Sequence, residues 1–238
     1  GIDWDGQIVR QSERIDLYTG ALARLERDGL TYPCFCTRAE IREAASAAHG
    51  PLPEGAYPGT CRELTTRERD ELEAAGRPPA LRLRAAGERV EFRDAVLGQQ
   101  AGIVDDFVLR RGDGTPAYNL AVVVDDAEQG VGEVVRGADL VDSTPRQLLL
   151  ARLLGLPEPE HAHVPLVLAP DGARLAKRHG AVTLADRAAR GETPAQVVSW
   201  MAASVGLAEP DEMVSAAELV DRFDRNRLPQ EPTAYTDP

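Results

Sequence analysis

Three cysteines fall within residues 34–61 of this chain, as Cys34-x-Cys36 and then Cys61, and no other feature restricts the fold so much. Three thiols cannot all pair with one another, and a one-residue spacing suits a metal site or reduced thiols better than a disulfide framework. Zinc takes four tetrahedral ligands, and a helix plus a loop between ligand pairs is a common way of bringing them together. The fourth ligand is open on residue chemistry alone. His49 offers an imidazole, whereas Tyr57 offers a phenol that must surrender a proton, with an ordinary pKa near about 10, to the metal. The competing reading is three buried thiols in a reducing compartment.

Charge narrows the partners. The chain has 238 residues, 27 basic against 39 acidic, for a formal net charge of -12. That excludes a polybasic coat, so an RNA partner has to meet a local basic patch; Arg82, Arg84, Arg89, Arg93, Arg110 and Arg111 are the candidates. No apolar run reaches the roughly 18 residues of a membrane span, and the first residues do not read as a signal peptide. A cytoplasmic protein without a membrane partner is expected. The start at Gly1, without a methionine, suggests a truncated product.

The periodicity predicts an α/β chain. Helices are expected from Ser12 to Asp28, stopped by Gly29, and after two capping boxes, Thr37-x-x-Glu40 and Thr65-x-x-Glu68. Leu81 and Leu83 with Val90 and Phe92 read as a hairpin turning at Gly87, and residues 107–111 with 117–124 as a second strand pair around Gly112 to Pro116. The run Ala121-Val122-Val123-Val124 has no polar alternation and reads as a strand buried on both faces. Thr144-Pro145 and Thr193-Pro194 start two more helices, the first ending at Gly155, and residues 164–168 read as a short strand.

Two segments point to an anion. Pro170 to Gly180 carries Arg174, Lys177 and Arg178 after a short apolar strand, where an α/β sheet binds polyanions. Arg136, between a β-rich stretch and Gly137, can aim its planar fork at a carboxylate, or else pair with Asp139 or Asp142 on the surface. Tyr118 can offer a hydroxyl to a ligand or sit satisfied in the core. Residue chemistry reaches anion binding and stops there.

In order along the chain, Tyr118-Asn119-Leu120 through Asp125-Asp126, Val135-Arg136-Gly137-Ala138-Asp139-Leu140, Ser143-Thr144-Pro145-Arg146-Gln147 and Arg174-Leu175-Ala176-Lys177-Arg178 resemble the class I glutamyl-tRNA synthetases. Tyr32 to Arg38 and Tyr57 to Arg62 resemble the zinc motif of that family's short glutamyl-Q branch, which lacks an anticodon-binding domain. The resemblance implies an incomplete Rossmann-like catalytic domain with an inserted zinc-binding α+β subdomain and a helical C-terminal tail. Its divisions would be a nucleotide-fold remnant at 1–31, the insertion at 32–116, the second half of the nucleotide fold at 117–185, and a helical region at 186–238.

The resemblance also implies roles. Glutamate and ATP, with Mg2+, would form glutamyl adenylate, and the acyl group would pass to queuosine in tRNA(Asp). Arg136 and Tyr118 would bind glutamate, the backbone of Leu166 and Val167 would face adenine, and Lys177 with Arg174 would act on the phosphates as a KMSKS-like loop. One structural zinc would be held by Cys34, Cys36, Tyr57 and Cys61, the resemblance favouring Tyr57 over His49. Val122 stands where the family often has a polar glutamate contact. The HIGH-type motif and the opening strand and helix of the family precede the segment corresponding to Gly1, so a fragment weakly active or inert by itself, and monomeric, is expected. Competing expectations are a fragment of an enzyme charging tRNA(Glu) and a non-catalytic zinc-stabilised RNA-binding module.

Overall fold

The computed structural model describes residues 4–47, 56–173, 175 and 183–235. His49, the loop through Gly55, Arg174 and residues 176–182, Lys177 among them, lie outside the described residues.

Helix α1 (Ile15–Arg27) turns Tyr18, Leu22 and Leu25 inward, a 3.6-residue stripe. It begins later than Ser12, which sits in a short 3-10 turn (Gln11–Glu13) instead of capping. Its end is as expected: Gly29 takes φ 70 and the Leu30 N–H reaches back to the Leu25 carbonyl at 2.9 Å, closing the last turn. Strand β1 (Thr31–Cys34) follows, then α2 (Arg38–Ala47) and α3 (Thr66–Ala74). Both capping boxes form, Thr37 with Glu40 and Thr65 with Glu68.

The strands β2 (Ala80–Leu83), β3 (Arg89–Asp94), β4 (Gly98–Ile103) and β5 (Val108–Arg110) divide between two sheets. The expected hairpin of Leu81 and Leu83 with Val90 and Phe92 does not exist. Strand β2 lies between β1 and β5 in one antiparallel sheet, while β3 pairs with β4 on one side and runs parallel to β7 (Glu160–Val164) on the other. Alternation identified the strands but carries no information about which neighbour each one takes.

The larger correction concerns residues 118–129. They form helix α4 (Tyr118–Gln129), not a strand, so residues 107–111 and 117–124 are no strand pair. A short apolar run does not separate a buried strand from a buried helix. Leu120, Ala121 and Val123 fall on a helical stripe that packs with α1 and with α5 (Thr144–Leu154), and twelve residues closed by Gly130 at φ 69 suit a helix better than a strand. After α4 come β6 (Glu133–Gly137), α5 and β7, a parallel β-α-β unit at one end of the second sheet, ordered β4-β3-β7-β6.

One apolar core joins the two sheets. Tyr18 and Leu25 of α1, Leu83 of β2, Val90 of β3, Leu109 of β5, Leu120 of α4 and Leu150 of α5 are each at most 1% exposed. Gly102 of β4 passes so close to α5 that a Cβ there would meet Pro145 Cγ at 2.6 Å. The expected strand at 164–168 resolves into the end of β7 and β8 (Val167–Leu168), which pairs in parallel with β9 (Thr233–Ala234). Between them in sequence lie α6 (Leu184–Ala189), α7 (Pro194–Ser204) and α8 (Ala216–Arg222), so the tail is helical with a strand returning to the body. Among the described residues no helix is long and apolar enough to cross a membrane.

Candidate active site and thiol cluster

The thiol cluster is built by β1 and the turn before α3. Cys34 ends β1, Cys36 lies two residues on, and Cys61 is brought up by a turn in which the Arg62 N–H binds the Gly59 carbonyl at 2.8 Å. The three Sγ atoms all lie within 4.8 Å of one another, with Cys36 and Cys61 at 3.4 Å. Tyr57 closes the group: its hydroxyl is 3.3 Å from Cys34 Sγ and 3.7 Å from Cys36 Sγ, and it accepts from the Cys61 N–H at 2.8 Å. Tetrahedral zinc with bonds near about 2.3 Å to sulfur and about 2.0 Å to oxygen has edges of roughly 3.5–3.8 Å between ligand atoms. The three thiols are therefore compatible with zinc in type and spacing, and the Tyr57 hydroxyl lies beside them.

Burial pushes the Tyr57 phenol far up and the Cys36 thiol up to about 12. Burial opposes ionisation of Cys61 too, yet the Phe35 N–H and the bonds from Tyr57 and Cys36 bring that thiol below its ordinary value. A buried set of acids of this kind ionises fully only around a cation. The Arg82 guanidinium, 3.7 Å above the Tyr57 ring centroid, supplies part of the balancing positive charge.

Arg82 is consequently 6% exposed and donates to the Asp106 carbonyl at 2.7 Å, and Arg84 lies over the Tyr32 ring at 4.9 Å. Arg89 pairs with Glu91 and Arg111 with Asp113. Four of the six arginines expected to form a basic surface are thus engaged, Arg82 and Arg84 against tyrosine rings and Arg89 and Arg111 in local ion pairs, which leaves Arg93 and Arg110. Asp105 and Asp106 tie the lobe to the body: Asp105 accepts from the Tyr57 N–H at 3.1 Å and from Arg146 of α5 at 2.7 Å, and Asp106 accepts from Tyr32 and Arg62 at 2.5 and 2.6 Å.

Arg136 ends up inside the body, not in a surface pair with Asp139 or Asp142. From β6 its Nε donates to His163 Nε2 at 3.0 Å and its Nη2 to Thr144 Oγ1 at 2.7 Å and to the Leu140 carbonyl at 3.4 Å. None of these partners is a carboxylate. Burial presses its pKa down, while neighbouring Tyr118 and the fields of Asp126 and Asp94 press it up. Tyr118, in the first turn of α4, is 56% exposed, so it is neither a core tyrosine nor the opening of a strand. Thr144, expected as a cap, is fully buried and makes no capping bond, because its hydroxyl serves Arg136. Gly137 lets the Leu166 side chain in: a Cβ there would meet Leu166 Cδ2 at 3.0 Å. The Leu166 and Leu168 carbonyls accept from Thr233 and Tyr235 of the β9 segment, which turns the N–H and C=O of Val167 to the opposite edge of β8.

The structure thus brings together Arg136, Tyr118 and Leu166, and separately Cys34, Cys36, Tyr57 and Cys61. His163 and Asp94 belong with Arg136 but carried no sequence signal beyond the alternation His161-Ala162-His163, and Thr144 was marked only as a helix start and within the Ser143-to-Gln147 motif. A cavity of about 670 Å³ opens elsewhere, against α7 and β9 beside Trp200 and Arg187, and none of the candidate site residues lines it.

The catalytic domain of the class I tRNA synthetases (E and Q) matches residues 1–237. This chain belongs to that family. Relatives of this synthetase chain include proteins named glutamyl-Q tRNA(Asp) synthetase from Nocardia farcinica, 58% identical over 100% of the chain and 74% of the relative, and from Symbiobacterium thermophilum, 52% identical over 98% and 76%. A glutamate–tRNA ligase of Oleidesulfovibrio alaskensis is 40% identical over 96% of the chain and 48% of the relative. Among solved structures, a glutamate tRNA ligase from Elizabethkingia meningosepticum in complex with its amino acid superposes with TM-score 0.77 at 25% identity, over 97% of this chain and 52% of that one. The synthetase chain therefore spans about three-quarters of those two glutamyl-Q relatives and about half of the solved ligase. The α/β class I catalytic fold and a synthetase-like ligase of the glutamate type follow from these matches.

Proposed function

We propose that this chain contributes to a site that activates glutamate with ATP and passes the acyl group to queuosine of tRNA(Asp). The observation that carries this reading is the state of Arg136: a half-buried guanidinium held by a threonine, a histidine and a carbonyl, with no carboxylate in contact among the described residues. A buried cation without a carboxylate in contact is costly, and a carboxylate guest would complete the arrangement. Tyr118 and Arg136 would hold glutamate, and the free backbone edge of Val167 beside Leu166 would meet adenine.

In the first step a glutamate carboxylate oxygen bonds to the α-phosphorus of ATP, and pyrophosphate leaves. In the second the acyl carbon is attacked by a hydroxyl of the queuosine cyclopentene ring, and AMP leaves. Lys177 and Arg174 are proposed to steady the departing phosphates, with Mg2+ carried by ATP. Zinc, where bound by Cys34, Cys36, Tyr57 and Cys61, would supply no chemistry of the reaction and would order the lobe. A monomer acting in the cytoplasm accords with this reading. Names of relatives at 45–58% identity over most of the chain support the glutamyl-Q specificity.

The test uses the intact protein that carries this chain. Glutamate-dependent exchange of pyrophosphate into ATP is expected, followed by glutamate transfer to tRNA(Asp) only when queuosine is present. Charging of tRNA(Glu) with indifference to queuosine would move the protein to the glutamate–tRNA ligases instead, and absence of exchange would refute activation altogether.

A further inference from the structure

His163 lies in β7 with 0% exposure, and its two ring nitrogens meet groups of opposite demand. Nε2 is 3.0 Å from Arg136 Nε and 3.3 Å from Thr144 Oγ1, and Nδ1 is 2.6 Å from Asp94 Oδ2. A guanidinium nitrogen donates and never accepts. Nε2 must therefore be the bare nitrogen and Nδ1 the protonated one, donating to the carboxylate. Thr144 accepts from Arg136 Nη2 at 2.7 Å, which leaves its own hydroxyl proton for Nε2. Asp94 is fixed in turn, its Oδ1 accepting from the N–H groups of Val96, Leu97 and His163 at 3.0, 2.9 and 3.1 Å. Each proton in this chain of contacts has a single available direction.

We propose that Asp94 and His163 are positioning residues that aim the Arg136 fork by holding the His163 ring neutral with its proton on Nδ1. The proposal deepens the glutamate reading and rests on it. Neither residue touches the guest. With Nε held by His163 and Nη2 by Thr144 and Leu140, the guanidinium plane cannot rotate about its own stem, and its remaining face is presented in one orientation. A proton on Nε2 sets two donors against each other and expels the fork.

The groups around His163 are Asp94 from β3, Arg136 from β6 and Thr144 from α5, with the His161 ring parallel to it at 6.0 Å within β7. His161 is pushed down to about 4, by burial first and then by the charge of Arg136, so it adds no further cation at neutral pH. Tyr118 and Asp126 of α4 also act on Arg136.

Asp94→Asn inverts the arrangement. Three backbone N–H groups keep the amide oxygen at the Oδ1 position, so the amide N–H faces Nδ1, and the ring proton moves to Nε2, against Arg136. The experiment reads the tautomer of His163 in the intact protein by long-range proton–nitrogen NMR, together with KM for glutamate and for ATP in pyrophosphate exchange. The native ring is expected neutral with Nδ1–H, and the Asp94→Asn ring with Nε2–H. The KM for glutamate should rise about tenfold or more, as loss of a hydrogen bond to a charged group implies, with the KM for ATP unchanged.

A second pair of variants carries the test should Asp94→Asn not fold. His163→Asn keeps a donor toward Asp94 and removes the acceptor for Arg136, and should raise the glutamate KM. His163→Gln places an amide oxygen near the Nε2 position and should restore most of it. A native ring protonated on Nε2, or equal glutamate KM values for the Asn and Gln variants, overturns the proposal. A tautomer that inverts in Asp94→Asn without change in glutamate KM upholds the positioning chemistry and removes glutamate binding from Arg136.

Discussion

Around Tyr57 the buried polar atoms are three sulfurs and a phenol, with S···O contacts of 3.3 and 3.7 Å; around Arg136 nitrogen meets oxygen or nitrogen at 2.7 and 3.0 Å. Thiols are weak donors and weak acceptors, so the first group gains little from its own contacts, and its apolar support is small: Tyr32, Cys34, Tyr57 and Cys61, with Ile41, Leu64 and Cys36 at the side. The second group sits against an apolar core spread over α1, α4, α5 and both sheets, and all its hydrogen bonds are directed. The difference teaches that weak sulfur contacts leave the first group little order of its own, so on the proposed reading it would draw order from a cation, whereas the second is held by directed hydrogen bonds before the proposed carboxylate guest arrives.

Removing metal from the thiol lobe should produce the largest effect, because structural zinc in small domains contributes about 10–16 kcal/mol of binding energy to folding. Exhaustive chelation, or Cys61→Ser, should lower zinc content and expose residues 32–64 to protease while hydrogen exchange in α4 and α5 stays slow. Full zinc by elemental analysis in Cys61→Ser, or equal loss of protection in both regions, would erase the contrast. Next in size, Arg136→Ala should reduce kcat/KM for glutamate in pyrophosphate exchange by about a hundredfold, the scale of about 2–5 kcal/mol for truncating a buried charge contact, with zinc content unaffected.

Smaller effects sharpen the boundary between the regions. Tyr32→Phe removes the donor to buried Asp106 and should cost about 1.5–3 kcal/mol in denaturant unfolding. Burial of Asp106 works against ionisation, but Arg62, Tyr32 and backbone N–H groups overcome it and hold the folded pKa below the ordinary value. A depressed carboxylate stabilises the fold above its unfolded pKa, near about 3.9, and that contribution is lost as pH falls through the folded value. Asp106→Asn should therefore flatten the acid limb of the stability profile below about pH 4; an unchanged limb would exclude Asp106 as its source. Smallest, Thr65→Ala deletes an exposed capping box on α3 and should cost about 1 kcal/mol in thermal unfolding, with catalysis unaltered.

The legible parts of the chain were those whose information is local. The capping boxes at Thr37 and Thr65, the cap-plus-proline start at Thr193 and the stops at Gly29 and Gly155 formed where expected, because a side chain meeting its own helix end needs only a short stretch of sequence. The cysteine spacing likewise placed the thiol cluster. Strand pairing, the helical state of residues 118–129 and the burial of Arg82 were missed, since each turns on which distant surface lies opposite.

From the order of its residues alone this chain specified an α/β architecture, a three-thiol cluster and an arginine at residue 136 suited to an anion. Only tertiary structure brought the Tyr57 hydroxyl against Cys34 and put Asp94, His163 and Thr144, drawn from two strands and a helix, behind the arginine. The physical reason is range: a cap or a spacing acts within a few residues, whereas the direction of a buried hydrogen bond is decided by whichever remote donor or acceptor the fold brings within about 3 Å.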